Sequence, residues 1–380
     1  MLKSFASVLD IDRNDWNRLA NPVGDEFNPF VAHDFLAALE KSGSTSRKTG
    51  WAGRHLVLTD ASGEITGIAP CFLKTHSQGE YVFDHGWAEA FHRAGGRYYP
   101  KLQVSVPFTP VTGPRLLARD AASRKQLADG LIALCANQKA SSVHMTFLPE
   151  EDWADLGGAA WLQRNDIQFH WHNAGYGSFE DFLKSLSSAK RKNIRKERDS
   201  VREIGITMEA LTGTGIKTEH WDAFFDFYMD TGSRKWGQPY LNREFFSLIG
   251  ETMRDHILLV MARRGGRMIA GALNFIGSHA LYGRNWGALE QHPNLHFEAC
   301  YYQAIDFAIA RKLARVEAGA QGPHKLARGY LPQKTYSLHY LAHPGLARAV
   351  AQYLAAEREG VSEEQQALAA HSPFRQEQDF

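Results

Sequence analysis

His55 to Leu73 reads HLVLTDASGEITGIAPCFL, and His256 to Ile276 reads HILLVMARRGGRMIAGALNFI. Each is an apolar run, a glycine-containing turn and a second apolar run, which is the pattern of a β-hairpin. Outward from these two segments the same order appears twice. DWNRL with Trp16, then Pro29-Phe30-Val31-Ala32-His33-Asp34-Phe35-Leu36, lies before the first hairpin. HWDAF with Trp221, then Pro239-Tyr240-Leu241-Asn242-Arg243-Glu244-Phe245-Phe246, lies before the second. The tryptophans are 205 residues apart, the prolines 210, and Ile65-Thr66-Gly67 precedes Ile269-Ala270-Gly271 by 204. Three collinear matches predict an internal duplication in which each copy runs helix, helix, hairpin. The boundary is expected near residue 165, giving domains 1–165 and 166–350 and a polar helical tail over 351–380.

Composition agrees with two folded domains. The 380 residues are 44% hydrophobic, 22% charged and 12% aromatic, which excludes disorder, collagen and coiled coil. A single core saturates below this length. Lys+Arg 43 against Asp+Glu 42 leaves a net charge of +1, so the whole molecule has no electrostatic case for DNA or an anionic membrane. MLKSFASVLDIDRNDW carries charges where a signal peptide needs an apolar stretch, and no transmembrane run is visible, so a cytoplasmic protein is expected. Cys71, Cys135 and Cys300 are widely spaced and odd in number, which suits a reducing compartment.

Within the first copy, Tyr81 to Leu117 combines aromatics, paired glycines and four prolines, and is expected as strand and loop. Ser123 to Asn137 reads as an amphipathic helix with Leu127, Leu131, Leu134 and Cys135 on its apolar stripe. Ser178 with Asp181 three residues on forms a capping box that opens a short helix. A basic helix follows from Ser188 to Ile204, stopping at Gly205, and spacings of four, three and four put Arg191, Arg195, Arg198 and Arg202 on one face. Guanidinium forks suit phosphate oxygens, whereas Glu197 and Asp199 inside the run suit a solvated face.

Chemistry concentrates near the carboxyl end. Phe297 to Leu313 reads as a helix burying Tyr301, Ile305, Ala308, Ile309 and Leu313, and Arg315 to Ala318 as a strand. Gly319, Gly322 and Gly329 then leave a flexible loop bearing Gln321, His324, Lys325 and Arg328. Such a loop at the carboxyl end of a strand is a common ligand site. Arg284 and Trp286, two apart on the preceding strand, are expected to line the same cleft. Glu298 opens the long helix, and Glu317 reads as a strand residue facing solvent. Asp84, His85, Tyr98, Tyr99 and Lys101 hint at a second polar cluster in the first copy.

The chain has no GxSxG elbow, HExxH, GxxxxGK loop or GxGxxG fingerprint. Among seventeen histidines, the pairs His170 with His172 and His292 with His296 lack partners for a metal site, so no metal is expected.

SSAKRKNIRKERDSVREIGI (187–206), VEAGAQGPHKLARGYLPQKTYSLHYLAHP (316–344) and EYVFDHGWAEAFHRAGGRYYPKLQVSVPFTPVTGPRLL (80–117) resemble the FemAB-like branch of the GNAT acyltransferase superfamily, which is related to peptidoglycan biosynthesis. The resemblance implies an α/β (α+β) fold of two tandem GNAT-like domains, each a mixed sheet flanked by helices, with the acceptor in a cleft between or beside them. It implies an amide-forming transfer from aminoacyl-tRNA to an amine of a peptidoglycan precursor, with Lys325 near the transferred carbonyl and Arg191 and Arg195 near the precursor's diphosphate. Two departures stand out. Gly287 to Asn294 lacks the glycine pattern that holds coenzyme A in ordinary GNAT enzymes, and no heptad run supplies a coiled-coil arm.

The expected reaction is therefore N-acyl or aminoacyl transfer without a resident cofactor, the donor being aminoacyl-tRNA or acyl-CoA as co-substrate. Lys325 is expected to assist the carbonyl and His324 or Glu298 to relay the proton. Arg191, Arg195, Arg284, Trp286, Gln321 and Arg328 are the expected substrate contacts. A coenzyme A dependent N-acyltransferase and a non-catalytic binding protein are the alternatives.

Overall fold

The computed structural model describes residues 1–158, 160–236, 239–319 and 322–375. The chain divides into two units, one of Met1–Ile167 with Lys334–Glu363 and the other of Gln168–Gln333 with Glu364–Phe380.

In chain order the first repeat supplies β1 (Leu2–Phe5), α1 (Arg13–Ala20), α2 (His33–Lys41), β2 (Trp51–Gly53), β3 (His55–Thr59), β4 (Ile65–Ala69), β5 (Cys71–Lys74), α3 (His85–Arg93), β6 (Lys101–Val104), β7 (Leu117–Ala118), α4 (Ala121–Asn137), β8 (Ser142–Leu148), α5 (Glu150–Leu156) and β9 (Leu162–His172). The second supplies α6 (Phe179–Ser185), α7 (Ser188–Glu203), β10 (Ile206–Thr212), α8 (Thr218–Trp236), α9 (Arg243–Thr252), β11 (Ile257–Arg264), β12 (Arg267–Ile276), β13 (Ala280–Ala288), α10 (Leu295–Phe297), α11 (Gln303–Ala310), β14 (Arg315–Glu317) and β15 (Leu331–Leu341), and α12 (Pro344–Ala370) ends the chain. Helix, helix and hairpin recur as α1, α2, β3–β4 and as α8, α9, β11–β12, as the duplication predicts.

In the second unit the strands run β10-β11-β12-β13-β14-β9, antiparallel throughout except for the parallel pair β13 and β14. In the first, β2-β5-β6-β8-β15 form the matching sheet, with β6 and β8 as its parallel pair, and β1-β3-β4-β7 form a separate antiparallel sheet. Pro70 explains the split. It lacks a ladder donor, so the stretch that stays whole as β12 in the second repeat breaks here into β4 and β5 on different sheets.

Each sheet takes its last strand from the other repeat. β8 pairs with β15, and β14 pairs with the end of β9. The units are drawn differently from the contiguous division 1–165, 166–350 and 351–380, because Lys334–Glu363 join the first unit, where β8 takes β15 as its neighbour. Nor is the end of the chain merely a polar tail. Leu346, Val350 and Leu354 of α12 are buried with Trp87, Tyr98 and Leu341, and Arg375 Nε donates to Leu186 O at 3.2 Å in the second unit.

Local sequence accounts for most elements. Ser178 caps α6 by accepting from Asp181 N, and the α4 stripe of Leu127, Leu131, Leu134 and Cys135 is buried against Leu102, Val143 and Leu338. One expectation fails. His85–Arg93, read as strand and loop, is helix α3, whose buried Trp87 and neighbouring Phe91 are one turn apart and outweigh the poor propensity of Gly86. Gly287 is dictated by packing. A Cβ there would lie 2.2 Å from the Phe227 carbonyl, so only glycine lets α8 settle on β13.

Leu338 is fully buried in the first unit's core. Leu338→Ala should cost about 2 to 5 kcal/mol through the cavity it leaves. Hydrogen exchange should quicken at the amides of β6 and β8 while those of β11 and β12 keep their protection, since β15 serves the first unit.

Candidate functional site

The parallel pair β13 and β14 is joined through α11, and ligands favour the carboxyl ends of strands where such a crossover departs. Across this pair Tyr282 stands opposite Glu317, and Glu317 opposite His170 on β9. Val316 and Trp171 point to the opposite face and enter the apolar core, so alternation sends Glu317 and His170 to the other side. Both are buried, and Glu317 does not face solvent as its sequence context suggests. Arg315 Nε donates to Glu317 Oε1 at 2.9 Å, and His170 Nε2 lies 3.8 Å from Oε2.

Beyond β14 the expected flexible loop is a tight helical turn, Pro323–Arg328, bounded by Gly322 and Gly329 at φ 116° and 89°, values that only glycine adopts without strain. Lys325 is buried, and its Nζ donates to Gly319 O at 2.9 Å. Burial pushes its pKa down from 10.5 to about 8. His324 is exposed, with Nε2 3.0 Å from the Tyr301 hydroxyl, and partial burial, Arg328 and Lys325 all lower its pKa. Arg328 pins the turn. Its guanidinium reaches both Glu197 oxygens at 2.7 and 3.2 Å, donates to His324 O at 2.8 Å and lies 3.4 Å from the Phe297 ring centroid. The acid that meets it sits on α7, and the Tyr302 hydroxyl donates to the same carboxylate.

The basic helix divides by burial. Ile194, Arg198 and Val201 follow one stripe, and because Ile194 and Val201 are buried, Arg198 is carried inward with them. It forks onto Glu298 at 3.0 and 3.1 Å, bonds Asp306 at 2.7 Å and lies 4.3 Å from the Phe179 ring centroid. The four arginines therefore do not share one solvent-facing strip. Arg195 pairs with Glu180 and Arg202 with Asp199. Arg191 is half-buried and has no ion-pair partner among the described residues. Glu298 sits in the π-helical turn Glu298–Tyr302 and also accepts from Gln303 Nε2 at 2.8 Å, so its carboxylate is fully engaged.

A bulge separates Arg284 from Trp286. Asn274 pairs with Gly283 and Leu273 with Asn285, which leaves Arg284 as the extra residue and breaks the alternation that put both side chains on one face. Trp286 packs on His296 at 5.4 Å and lines a cavity of about 380 Å³ with Arg234, Thr231 and His292, and Arg284 is not part of that lining. Gln321 lies outside the described residues. Among them no three His, Cys, Asp or Glu side chains gather as a metal cluster, and no helix is long and apolar enough to cross a membrane.

The first unit holds its own buried polar cluster. Lys101 Nζ donates to Ser77 at 2.7 Å, Glu80 at 2.6 Å and Asp84 at 2.5 Å, and the Tyr98 hydroxyl donates to Asp84 at 2.7 Å. Burial alone would raise Asp84, but the Lys101 charge outweighs it and holds the carboxyl low. Tyr99 meets Ser77 at 2.8 Å, whereas His85 is exposed. Here the sequence clustering of Asp84, Tyr98 and Lys101 becomes a spatial one.

Two measurements separate anchoring from ligand contact. Arg198→Ala should cost about 3 to 5 kcal/mol in denaturant unfolding because it strands a buried carboxylate, whereas Arg195→Ala, at an exposed pair, should cost no more than about 1 kcal/mol. Lys325 titrates near 8 when folded and near 10.5 when unfolded. Below pH 8 both states are protonated and folding bears the full cost of the buried ammonium. Between the two values the folded state has released a proton that the unfolded chain keeps, so stability rises with pH. Lys325→Met should therefore melt above the wild type at pH 7, with the difference closing towards pH 10.5.

Residues 7–376 match the FemAB-like family, described as peptidoglycan biosynthesis/recognition. No curated protein matches the sequence. Among solved structures, FemX is similar over 90% of this chain and 98% of its own at 10% identity, with a TM-score of 0.56. L-PGS from Bacillus licheniformis is similar over 88% of this chain and 99% of its own at 10% identity, with a TM-score of 0.51. The C-terminal domain of a putative lysylphosphatidylglycerol synthetase from Agrobacterium fabrum covers 90% of this chain and 96% of its own at 9% identity, again at 0.51. At such identities the likeness concerns the fold alone, mixed sheets flanked by helices. With a match across nearly its whole length, the chain belongs to the FemAB-like family.

Proposed function

We propose that this protein is an acyltransferase that forms an amide by direct attack of an amine on an activated ester, with an aminoacyl ester such as aminoacyl-tRNA as donor and an amine of a peptidoglycan precursor as acceptor. Family membership supports the reaction class and the link to peptidoglycan. The observation that carries the reading is Lys325, a buried amine of lowered basicity held in a pinned turn at the carboxyl end of β14.

This reaction asks for a donor to the developing oxyanion, a route for the amine proton and close positioning. A lysine ammonium has three N–H groups. Gly319 O takes one, and the others are suited to a carbonyl oxygen as it gains charge. Arg328 and Glu197 keep the turn in place, so Arg328 acts as a positioning residue. Arg191, with Arg195 beside it, is the proposed phosphate contact. The absence of a coenzyme A glycine pattern at Gly287 to Asn294 favours an ester of tRNA over a thioester as donor. Both proposed substrates belong to the cytoplasm, where we place the reaction.

Thermal denaturation with aminoacyl-tRNA, acetyl-CoA, longer acyl-CoAs and a nucleotide-linked precursor tests this. A ligand at a hundred times its Kd stabilises by about 2.7 kcal/mol, roughly 5 to 11 °C for a unit of this size. A shift with aminoacyl-tRNA or the precursor is expected. A shift with acyl-CoA alone would replace the donor, and precursor binding without turnover would favour a binding protein. Lys325→Ala should lower kcat by about 10² to 10³ with acceptor affinity nearly unchanged, and a wild-type rate would remove Lys325 from the mechanism.

A further inference from the structure

In both units the parallel strand pair carries a row of three polar side chains. Gln103 on β6 stands opposite His144 on β8, and His144 opposite His339 on β15. In the second unit the equivalent row is Tyr282, Glu317 and His170. The central residues differ in one respect. Both ring nitrogens of His144 are engaged, Nδ1 with His339 Nδ1 at 2.7 Å and Nε2 with Ser142 Oγ at 2.8 Å. Glu317 is 3% exposed and only half satisfied. Its Oε1 accepts from Arg315, while Oε2 is buried and has no hydrogen-bond partner among the described residues. His170 Nε2, at 3.8 Å, is beyond bonding distance.

A buried carboxylate oxygen without a donor costs free energy that folding alone gives no reason to bear. The groups around it are Tyr282 from β13, Arg315 from its own strand and His170 and His172 from β9. The Lys325 amine is bonded to the carbonyl of Gly319, two residues beyond Glu317, and its charge is felt at His170. The expected relays are less suited. Glu298 is held by Arg198 and Gln303, and His324 by Tyr301.

Resting on the transferase reading, the geometry points to Glu317 as the catalytic residue that receives the acceptor, a primary amine. Oε2 accepts an N–H of the incoming amine. As the new C–N bond forms, the amine proton moves to Oε2. As the ester C–O bond breaks, the same proton passes to the departing oxygen, and Glu317 returns to its ionised state. The amide and a free hydroxyl are the products. Arg315 fixes the carboxylate's orientation through its bond to Oε1.

Glu317→Gln keeps the shape and removes the basicity. Steady-state rates with aminoacyl-tRNA and the precursor should show kcat lowered by about 10² to 10⁴ and an acceptor KM within a few-fold of wild type. A wild-type rate in the folded variant would overturn the inference while leaving the transferase reading intact. Should Glu317→Gln not fold, Glu317→Asp decides: a lowered kcat at an unchanged melting temperature supports the assignment, and a wild-type kcat overturns it. A wild-type protein that turns over no donor and amine would instead overturn the transferase reading, and this inference with it.

Discussion

Parallel strands cannot be joined by a tight turn, and the crossover they require organises each unit. In the second unit the crossover is α11, which packs on β13 and β14 through Ile305, Ala308 and Ile309. It returns the chain at β14 and releases it into the turn that carries Lys325. The first unit uses α4 in the same way between β6 and β8. The polar rows centred on His144 and Glu317 fall on these parallel pairs, where the topology changes direction.

Closing each sheet with a strand from the other repeat follows from the same requirement. β8 and β14 each need an antiparallel neighbour, and β15 and β9 supply them from the far side of the duplication. Chain order alone suggested two contiguous halves. Strand pairing, which is non-local, drew residues 334 to 363 back to the first unit.

Around Lys325 the charges are neutralised in pairs rather than displayed. Arg328 meets Glu197 and Arg198 meets Glu298, both with forked geometry and little exposure, and Arg198 also reaches the more exposed Asp306. Buried pairs of this kind fix orientation more than they add stability. They hold α7, the π-helical turn and the 323–328 turn in register, while the Lys325 amine and Glu317 Oε2 keep bonding capacity in reserve.

Sequence by itself determined what depends on neighbours along the chain. Apolar spacing marks α4 and α11, the Ser178 cap starts α6, and paired apolar runs around glycine mark both hairpins, because each of these is decided within a few residues. Tertiary structure alone decided the partners. Arg198 lies on an apolar stripe, and nothing near it in sequence shows that an acid one hundred residues away will receive it. The bulge at Arg284 and the exchange of β9 and β15 are likewise properties of pairing, which sequence spacing does not carry. The unfilled oxygen of Glu317 is the furthest from local reading, since a missing bond is visible only after every other partner has been placed.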